Sequence, residues 1–352
     1  MEKRVDLGFV EDIDDLYLFK LKSKYFPSKV GGKPSWLSLT HLPSSEQLKC
    51  ELCSHPLILL LQIYCPIDDL STAFHRTIFI FCCVQPNCGG GFKVFRSQLK
   101  RFNAFYDSEP PDYEAVEEKL DYDPKPENFG VKLCSVCGCF ADKICSACKE
   151  VTYCSREHQK FDWKQNGHKE LCGRATSNGA SSALLKEFEL VIETENGSED
   201  NRQKDNVKTE AQRMQECIDF INQRKPSCQD ENFDEYENNC IKDDIYDNFR
   251  RKTKQNADQV IRYYSYDRKN DFFDPLWINN EKPATIPNCE NCGSQRKIEC
   301  QIMPQLLYFV GGADKSVDFG TLLIYSCIES CDAKDENIAY LKEYVFIQNF
   351  KQ

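Results

Sequence analysis

A run of paired cysteine and histidine residues constrains this chain more than any other feature. Two Cys-x-x-Cys knuckles come first, and two pairs at i, i+4 follow, a spacing that places two side chains on one face of a helix. Four pairs of this kind supply the ligands for two tetrahedral zinc sites. The pairs are Cys134 and Cys137, Cys145 and Cys148, Cys154 and His158, and His168 and Cys172.

Zinc bound by these eight residues would have a structural role. Thiolate and imidazole ligands select zinc, and a site filled by protein ligands leaves no position for a catalytic water. A segment of about forty residues cannot stabilise itself by a core alone, so zinc would supply folding free energy. Ligation is favoured over a nucleophilic Cys154–His158 dyad, because the pair lies among the knuckles. Cys139 falls outside the pairing and is interpreted as a bystander.

The cysteine content indicates metal binding in a reducing compartment. The chain has 352 residues, of which 21 are cysteines and 41% are hydrophobic. No apolar run approaches the ~18 residues that a membrane span needs, and the N-terminus lacks the apolar core of a signal peptide. Cytoplasmic and nuclear localisation, with thiols bound to metal rather than in disulfides, is the resulting expectation.

The net charge and the absence of known catalytic motifs limit the classes of function that the chain can have. A net charge of −11 argues against nucleic acid as the main partner and suits a basic protein as one. The sequence contains no P-loop, His-Glu-x-x-His or Gly-x-Ser-x-Gly motif. We therefore expect a protein that is not an enzyme. Gly31 and Gly32 predict a turn with positive φ rather than a phosphate-binding loop.

Composition divides the chain into five segments. Two apolar-rich flanks, with short β-branched and aromatic runs between turn signals, are predicted to be β-rich. Two acidic segments have too few apolar residues to fold alone, although Lys186–Glu193 alternates like one strand, and Phe249–Tyr264 in the second flank has helical periodicity. The segments are an N-terminal half at 1–106, an acidic linker at 107–132, the Cys/His module at 133–173, an acidic linker at 174–247 and a C-terminal half at 248–352.

The two halves contain a repeated pattern. Each has a Pro-x-Trp, then Cys-x2-Cys-x8-Gln, then an apolar strand that ends in a cysteine pair. This order predicts one zinc-ribbon-type site in each half. Aligning the strands favours Cys83 as a ligand, whereas a shift of one residue would substitute Cys82. The predicted ligands are Cys50, Cys53, Cys83 and Cys88 in the first half and Cys289, Cys292, Cys327 and Cys331 in the second.

The repeat leads to a prediction of the fold. The class is β-rich α+β, in which the two halves pack as one split, pseudo-symmetric β domain. The module at 133–173 and its acidic linkers would be an insertion that projects from this domain.

The Cys/His module resembles the MYND-type zinc finger in Val151–Gln159 and in Asp162–Cys172. The resemblance implies a small, treble-clef-like, cross-braced module that binds two zinc ions. Cys134, Cys137, Cys154 and His158 would then hold one ion, and Cys145, Cys148, His168 and Cys172 the other. It also implies a shallow groove for Pro-containing peptides at Gln159 and Trp163, although a packing role for Trp163 fits the sequence equally well.

The flanks resemble the programmed cell death protein 2 family. The matching motifs are Leu7–Glu11, Phe26–Trp36, Cys50–Cys53, Phe74–Arg76 and Met303–Leu307. The resemblance implies a dedicated chaperone that holds one nascent small-subunit ribosomal protein, the counterpart of bacterial S-five, during ribosome biogenesis. The alternative is an adaptor that acts through the zinc finger in nuclear and transcriptional regulation or in control of cell death and proliferation.

Overall fold

A closed antiparallel barrel forms the body of the protein. The computed structural model describes residues 5–86, 88–115, 123–173, 185–195, 244–264, 273–311 and 317–350. The strands are β1 (Asp6–Glu11), β2 (Lys29–Val30), β3 (Ile58–Tyr64), β4 (His75–Cys82), β5 (Phe92–Leu99), β6 (Lys143–Ile144), β7 (Thr152–Tyr153), β8 (Phe188–Thr194), β9 (Ile261–Tyr263), β10 (Arg296–Ile302), β11 (Thr321–Cys327) and β12 (Leu341–Gln348). The barrel order is β1-β8-β2-β3-β4-β5-β12-β11-β10-β9, and β9 also pairs with β1. β6 and β7 form a separate two-stranded sheet. The prediction of a β-rich fold is confirmed.

The helices are short. They are α1 (Arg156–Lys164), α2 (His168–Leu171), α3 (Asp244–Thr253) and α4 (Leu306–Val310), and 3-10 turns lie at Asp15–Leu21, Ser23–Tyr25, Ser71–Ala73, Pro126–Phe129 and Lys254–Asn256. Among the described residues, no helix has the length and apolar character needed to span a bilayer.

One predicted helix ends earlier than its periodicity suggested. The helical pattern over Phe249–Tyr264 is correct only to Thr253, after which a 3-10 turn leads into β9. Ile261 pairs with Gly8 of β1 and with Ile302 of β10. Pairing on both sides of β9 satisfies its backbone groups in the barrel and therefore outweighs the local helical pattern.

The strands with the strongest β-branched and aromatic character lie deepest. Every residue of β4 and of β11 is buried, as expected for strands that are covered on both faces. Trp36 packs across Phe79 and Phe81 of β4, with ring centroids 5.3 Å and 5.9 Å away. Aromatic contacts of this kind anchor the segment between β2 and β3 against the barrel wall.

Each flank contributes one three-stranded meander to the barrel. β3, β4 and β5 come from the N-terminal flank, and β10, β11 and β12 come from the C-terminal flank. The register of the first pair shifts between Leu59 and Leu61 in one meander and between Ile298 and Cys300 in the other. Such bulges bend a strand and increase its twist, which helps a sheet to close.

The glutamine of the repeated pattern makes the same contact in both flanks. Gln62 accepts a hydrogen bond from the backbone N–H of Ser35 (2.9 Å) and donates to its carbonyl (3.3 Å). Gln301 accepts from the backbone N–H of Leu276 (3.0 Å) and donates to its carbonyl (2.8 Å). In each flank, the buried amide thus holds the residue that precedes the tryptophan, which explains the shared Cys-to-Gln spacing.

The strand expected within the second acidic segment is present as β8, and it lies between β1 and β2. The predicted turn at Gly31 and Gly32 has φ of 66° at both residues. A Cβ on Gly31 would lie 2.1 Å from the carbonyl oxygen of Lys186, so the turn needs glycine to let the chain leading into β8 approach. The buried Lys29 ammonium contacts Glu187 at 2.5 Å, and desolvation lowers its pKa.

A buried ion pair joins the two flanks. Arg76 of β4 makes a two-pronged contact with Glu299 of β10, at 2.9 Å and 2.8 Å. Tyr263 donates a hydrogen bond to the same carboxylate at 2.5 Å. Both charged side chains are almost fully buried. Despite its own desolvation, the pKa of Arg76 lies well above its usual value because of Glu299.

We expect Glu299→Gln to destabilise the protein by about 3–5 kcal/mol, because it leaves the Arg76 charge buried without its counterion. Urea unfolding of the metal-loaded protein would measure this change. The double variant Arg76→Met, Glu299→Met should be more stable than Glu299→Gln, since it leaves no unpaired charge. If the double variant is less stable than the single variant, charge pairing is not what holds these strands.

Candidate metal centres

Among the residues that the structure describes, four tetrads of cysteine and histidine side chains can hold a metal ion. In each tetrad the candidate ligand atoms lie within 4.8 Å of one another. The tetrads are Cys50, Cys53, Cys83 and Cys88; Cys134, Cys137, Cys154 and His158; Cys145, Cys148, His168 and Cys172; and Cys289, Cys292, Cys327 and Cys331. We call them the N-terminal site, the first finger site, the second finger site and the C-terminal site. All sixteen predicted ligands belong to these four groups.

Short local structures present the ligands of the finger. The knuckle at Cys134 closes with a hydrogen bond from the Gly138 N–H to the Cys134 carbonyl (2.8 Å), and Gly138 has φ of 71°. Ser155 caps α1 by accepting a hydrogen bond from the N–H of His158. This cap fixes the start of the helix, so Cys154 and His158 face the same site. The first and third pairs meet, as do the second and fourth, which is the cross-braced arrangement that the resemblance implies.

The interatomic distances fit a tetrahedral zinc ion. Zinc–sulfur bonds of about 2.3 Å place sulfurs about 3.8 Å apart in a tetrahedron. The Sγ–Sγ distances are 3.5 Å for Cys50 and Cys88, 3.6 Å for Cys137 and Cys154, and 3.9 Å for Cys145 and Cys172. These values exceed a disulfide bond length of about 2.05 Å. The donor sets, which are four sulfurs or three sulfurs and one nitrogen, are those of structural zinc sites.

The two histidines present different nitrogens. His158 directs Nδ1 towards Cys154 Sγ at 3.2 Å, whereas His168 directs Nε2 towards Cys145 Sγ at 3.4 Å. The Tyr153 ring lies 6.2 Å from the ring of His168, and its hydroxyl donates a hydrogen bond to the buried Asp162 carboxylate at 2.7 Å. Desolvation and this carboxylate raise the pKa of Tyr153, so its hydroxyl stays protonated as a donor.

Hydrogen bonds prepare some thiols for metal binding. Backbone N–H groups of Val151 and Glu150 lower the pKa of Cys148 to about 6, although desolvation opposes them. At Cys292 desolvation would raise the pKa, but hydrogen bonds from Ser294 outweigh it and bring the pKa to about 6. A lowered pKa favours the thiolate, the form that binds zinc.

The structure groups Cys83, and not Cys82, with the N-terminal site. Cys82 is the last residue of β4 and lies opposite Ile58, where it is fully buried. Cys83 follows the strand, and its Sγ lies 3.5 Å from that of Cys53. The N–H of Cys83 donates to the Gly91 carbonyl at 2.8 Å, which turns the chain towards the knuckle.

The two residues that the resemblance assigns to a peptide groove lie on one face of α1. Gln159 and Trp163 are spaced i, i+4, and both are partly exposed. The Trp163 ring also lies 5.8 Å from the ring of His168 in an edge-to-face contact. Trp163 therefore packs on the second finger site while it keeps an accessible surface.

The finger is docked on the barrel, and the expectation that it projects from the split domain is wrong for the finger. The indole N–H of Trp36 donates to the Gly138 carbonyl at 2.8 Å, and Trp36 is only 1% exposed. Ser45 donates to Asp142 at 2.7 Å. The finger residues Val136, Cys139 and Ala141 belong to the same buried cluster as the barrel core. The sequence marks Trp36 as part of the repeat but gives no sign of its long-range contact.

We expect metal analysis by mass spectrometry to find about four zinc ions per chain. Cys83→Ser should lower the count by about one, because it removes one of four ligands. Cys82→Ser, the adjacent control, should leave the count unchanged. A wild-type count of about two, or a loss of metal in Cys82→Ser, would contradict this assignment.

We expect Trp36→Phe to destabilise the protein by about 1–3 kcal/mol, since it leaves the buried Gly138 carbonyl without its donor. Hydrogen exchange in the finger, read on peptides that include Gly138, should increase. Trp277→Phe is the matched control, because Trp277 holds the equivalent position of the repeat but donates to the exposed Asp274 instead. Equal exchange in the two variants would show that Trp36 does not hold the finger.

Comparisons with known proteins agree with this architecture. The models for the N-terminal domain and the C-terminal putative domain of programmed cell death protein 2 match residues 4–113 and 243–349, and the MYND finger model matches residues 134–172. The chain is 38% identical to programmed cell death protein 2 of Rattus norvegicus, over 98% of this chain and 96% of the relative. It is 26% identical to programmed cell death protein 2-like of Homo sapiens, over 86% and 85%. No solved structure matches. The chain therefore belongs to the programmed cell death protein 2 family and carries a MYND finger, a module suited to protein–protein interaction.

Proposed function

We propose that this protein is a non-enzymatic chaperone for a basic small-subunit ribosomal protein and supports small-subunit biogenesis. A nascent ribosomal protein is basic and binds RNA unselectively, so its holder needs an acidic surface with some apolar contact area. The net charge of −11 meets the first need. The two acidic segments, at 107–132 and 174–247, supply all of this excess negative charge.

One surface of the described structure carries the proposal. Four acidic residues, Glu11, Asp12, Asp14 and Asp15, are exposed at the end of β1. Leu16 and Leu18 follow in the 3-10 turn and are 73% and 41% exposed. Two exposed leucines beside four carboxylates give this surface both apolar and acidic contacts, the combination that a basic client with apolar side chains needs. We call residues 11–18 the acidic–apolar face.

The acidic segment at 107–132 extends this face. Lys20 donates a hydrogen bond to the backbone carbonyl of Tyr113 at 2.7 Å, which brings residues 107–115 beside the 3-10 turn. Asp112, Tyr113 and Glu114 are exposed there. An extended peptide with lysine and arginine beside apolar residues complements both parts.

We expect the double variant Asp15→Lys, Leu16→Lys to bind the ribosomal client about tenfold more weakly or worse, because it reverses a charge and removes an apolar contact. The measurement is titration of the full-length protein with the purified client, the counterpart of bacterial S-five. Added salt should slow association with the wild-type protein and matter less for the variant. Asp14 stays unchanged, because its carboxylate caps the turn at the N–H of Leu16.

The control variant is Glu336→Lys, Ile338→Lys in the loop between β11 and β12, where both residues are also exposed. It makes the same kind of change elsewhere on the barrel and should keep the affinity. If both variants lose the same affinity for the client, the change in net charge explains the loss and this face does not. Unchanged affinity of the Asp15, Leu16 variant would remove this face from the proposal.

A second function, a peptide-binding adaptor acting in nuclear regulation, is supported by the accessible Gln159 and Trp163 on α1. Trp163→Ala would separate the two functions in the full-length protein. An adaptor loses its Pro-containing partners in this variant, whereas the chaperone keeps its client. Point variants are preferable to deletion of the finger, because deletion would expose Trp36 and the core around it.

A further inference from the structure

The C-terminal site is held by a buried triad of charges from three different strands. Glu343 of β12 lies between two guanidinium groups, those of Arg96 of β5 and Arg296 of β10. Each Nε donates to one carboxylate oxygen at 2.8 Å. The three side chains are at most 2% exposed. Breaking such a triad leaves an uncompensated buried charge, so its geometry is strongly maintained.

Each member of the triad reaches the backbone around a ligand of the C-terminal site. Glu343 accepts a hydrogen bond from the N–H of Cys327 at 3.2 Å. Arg96 donates to the carbonyl of Cys331 at 3.0 Å, and its guanidinium also lies 3.8 Å from the Cys331 sulfur. A site with four thiolates around Zn²⁺ carries a net negative charge, which this cation offsets.

Arg296 fixes the approach to the first ligand of the site. It donates to the carbonyl of Pro287 at 2.9 Å and to that of Asn288 at 2.6 Å, immediately before Cys289. The triad therefore contacts the chain at or next to three of the four ligands. These contacts hold the backbone that carries the ligands of the metal site.

The turn between Cys327 and Cys331 is also held from the other flank. Gln98 of β5 donates to the carbonyl of Ser330 at 2.9 Å, and Arg76 of β4 donates to the Ser330 hydroxyl at 3.1 Å. Ser330 is 2% exposed and has φ of 42°, a conformation that such contacts must maintain. A ligand-bearing turn of the C-terminal flank thus packs into the N-terminal flank.

The same residues lie at a seam of the barrel. β5 and β12 join the two flanks through three residue pairs, Leu341 with Arg96, Lys342 with Phe95 and Glu343 with Val94. Two of these pairs contain a member of the triad. By comparison, β4 and β5 pair along their full length within one flank. A short seam of this kind depends on side-chain contacts to stay closed.

We propose that the C-terminal metal site closes the seam between the two flanks, with Arg96, Glu343 and Arg296 as the positioning residues that couple metal to barrel. Metal binding fixes the turn at Cys331, the turn holds Arg96 and Arg76 in their paired positions, and the paired strands β5 and β12 remain joined. Coupling of this kind is reciprocal: a closed seam favours metal, and bound metal favours the closed seam.

The first test replaces Glu343 with glutamine in the full-length protein. We expect zinc affinity of the C-terminal site, measured by competition with a chelator, to fall about 10- to 100-fold. We would add just enough chelator to remove zinc from the weakest site. Alkylation followed by mass spectrometry should then label Cys289, Cys292, Cys327 and Cys331, while the cysteines of the other three sites stay protected. Equal labelling of all four sites, or none beyond wild type, would overturn the proposal.

The reciprocal test does not depend on that variant. Cys292→Ser weakens the C-terminal site without changing the triad, and Cys53→Ser is the matched change in the N-terminal site. Hydrogen exchange in peptides that cover β5 and β12 should rise about tenfold or more in Cys292→Ser and remain at the wild-type level in Cys53→Ser. A seam that stays protected in Cys292→Ser, or that opens equally in both variants, would overturn the coupling.

Discussion

Closing one barrel from two distant parts of the chain is the constraint on which the rest of the structure depends. β5 and β12 form one join between the flanks, and β1 and β9 form another. Both joins are only three residue pairs long, so backbone hydrogen bonds alone give them little strength. The buried charges supply the remainder: the contact of Arg76 with Glu299 crosses between the flanks, as does that of Arg96 with Glu343. In each pair, the two opposite charges compensate each other, so neither side chain is buried as an unpaired charge.

The entropy of loop closure explains why such a barrel tolerates a large insertion. The cost of bringing the ends of a loop together grows only with the logarithm of its length. A finger and two acidic segments can therefore separate the flanks at small cost, provided that their own ends lie near the joins. β8 meets this condition directly, since its residues lie between β1 and β2 and become part of the barrel wall. The insertion is thus partly integrated into the domain that it interrupts.

The spacing of cysteines and histidines that are close in the sequence predicted the groups of candidate ligands. Contacts between residues far apart in the sequence could not be predicted. Cys-x2-Cys and i, i+4 pairs mark ligands because the geometry of a knuckle or a helical turn is set within a few residues. The choice of Cys83 over Cys82 needed the repeat, since both residues are cysteines at the end of a strand. Glu299 looks like a polar interruption in an apolar run, and its partner Arg76 is 223 residues away. No periodicity encodes such a pair.

The finger shows the same difference between local and long-range contacts. Its fold depends on four local ligand pairs, but its position depends on Trp36, which donates to a finger carbonyl and packs on Phe79 of the barrel. A tryptophan buried between two modules couples their stabilities. If either module unfolds, the tryptophan side chain is exposed to water and loses apolar contacts. Zinc bound in the finger would therefore also contribute to the stability of the N-terminal flank. The finger is consequently part of the body on which a partner would bind, even where its own groove makes no contact with that partner.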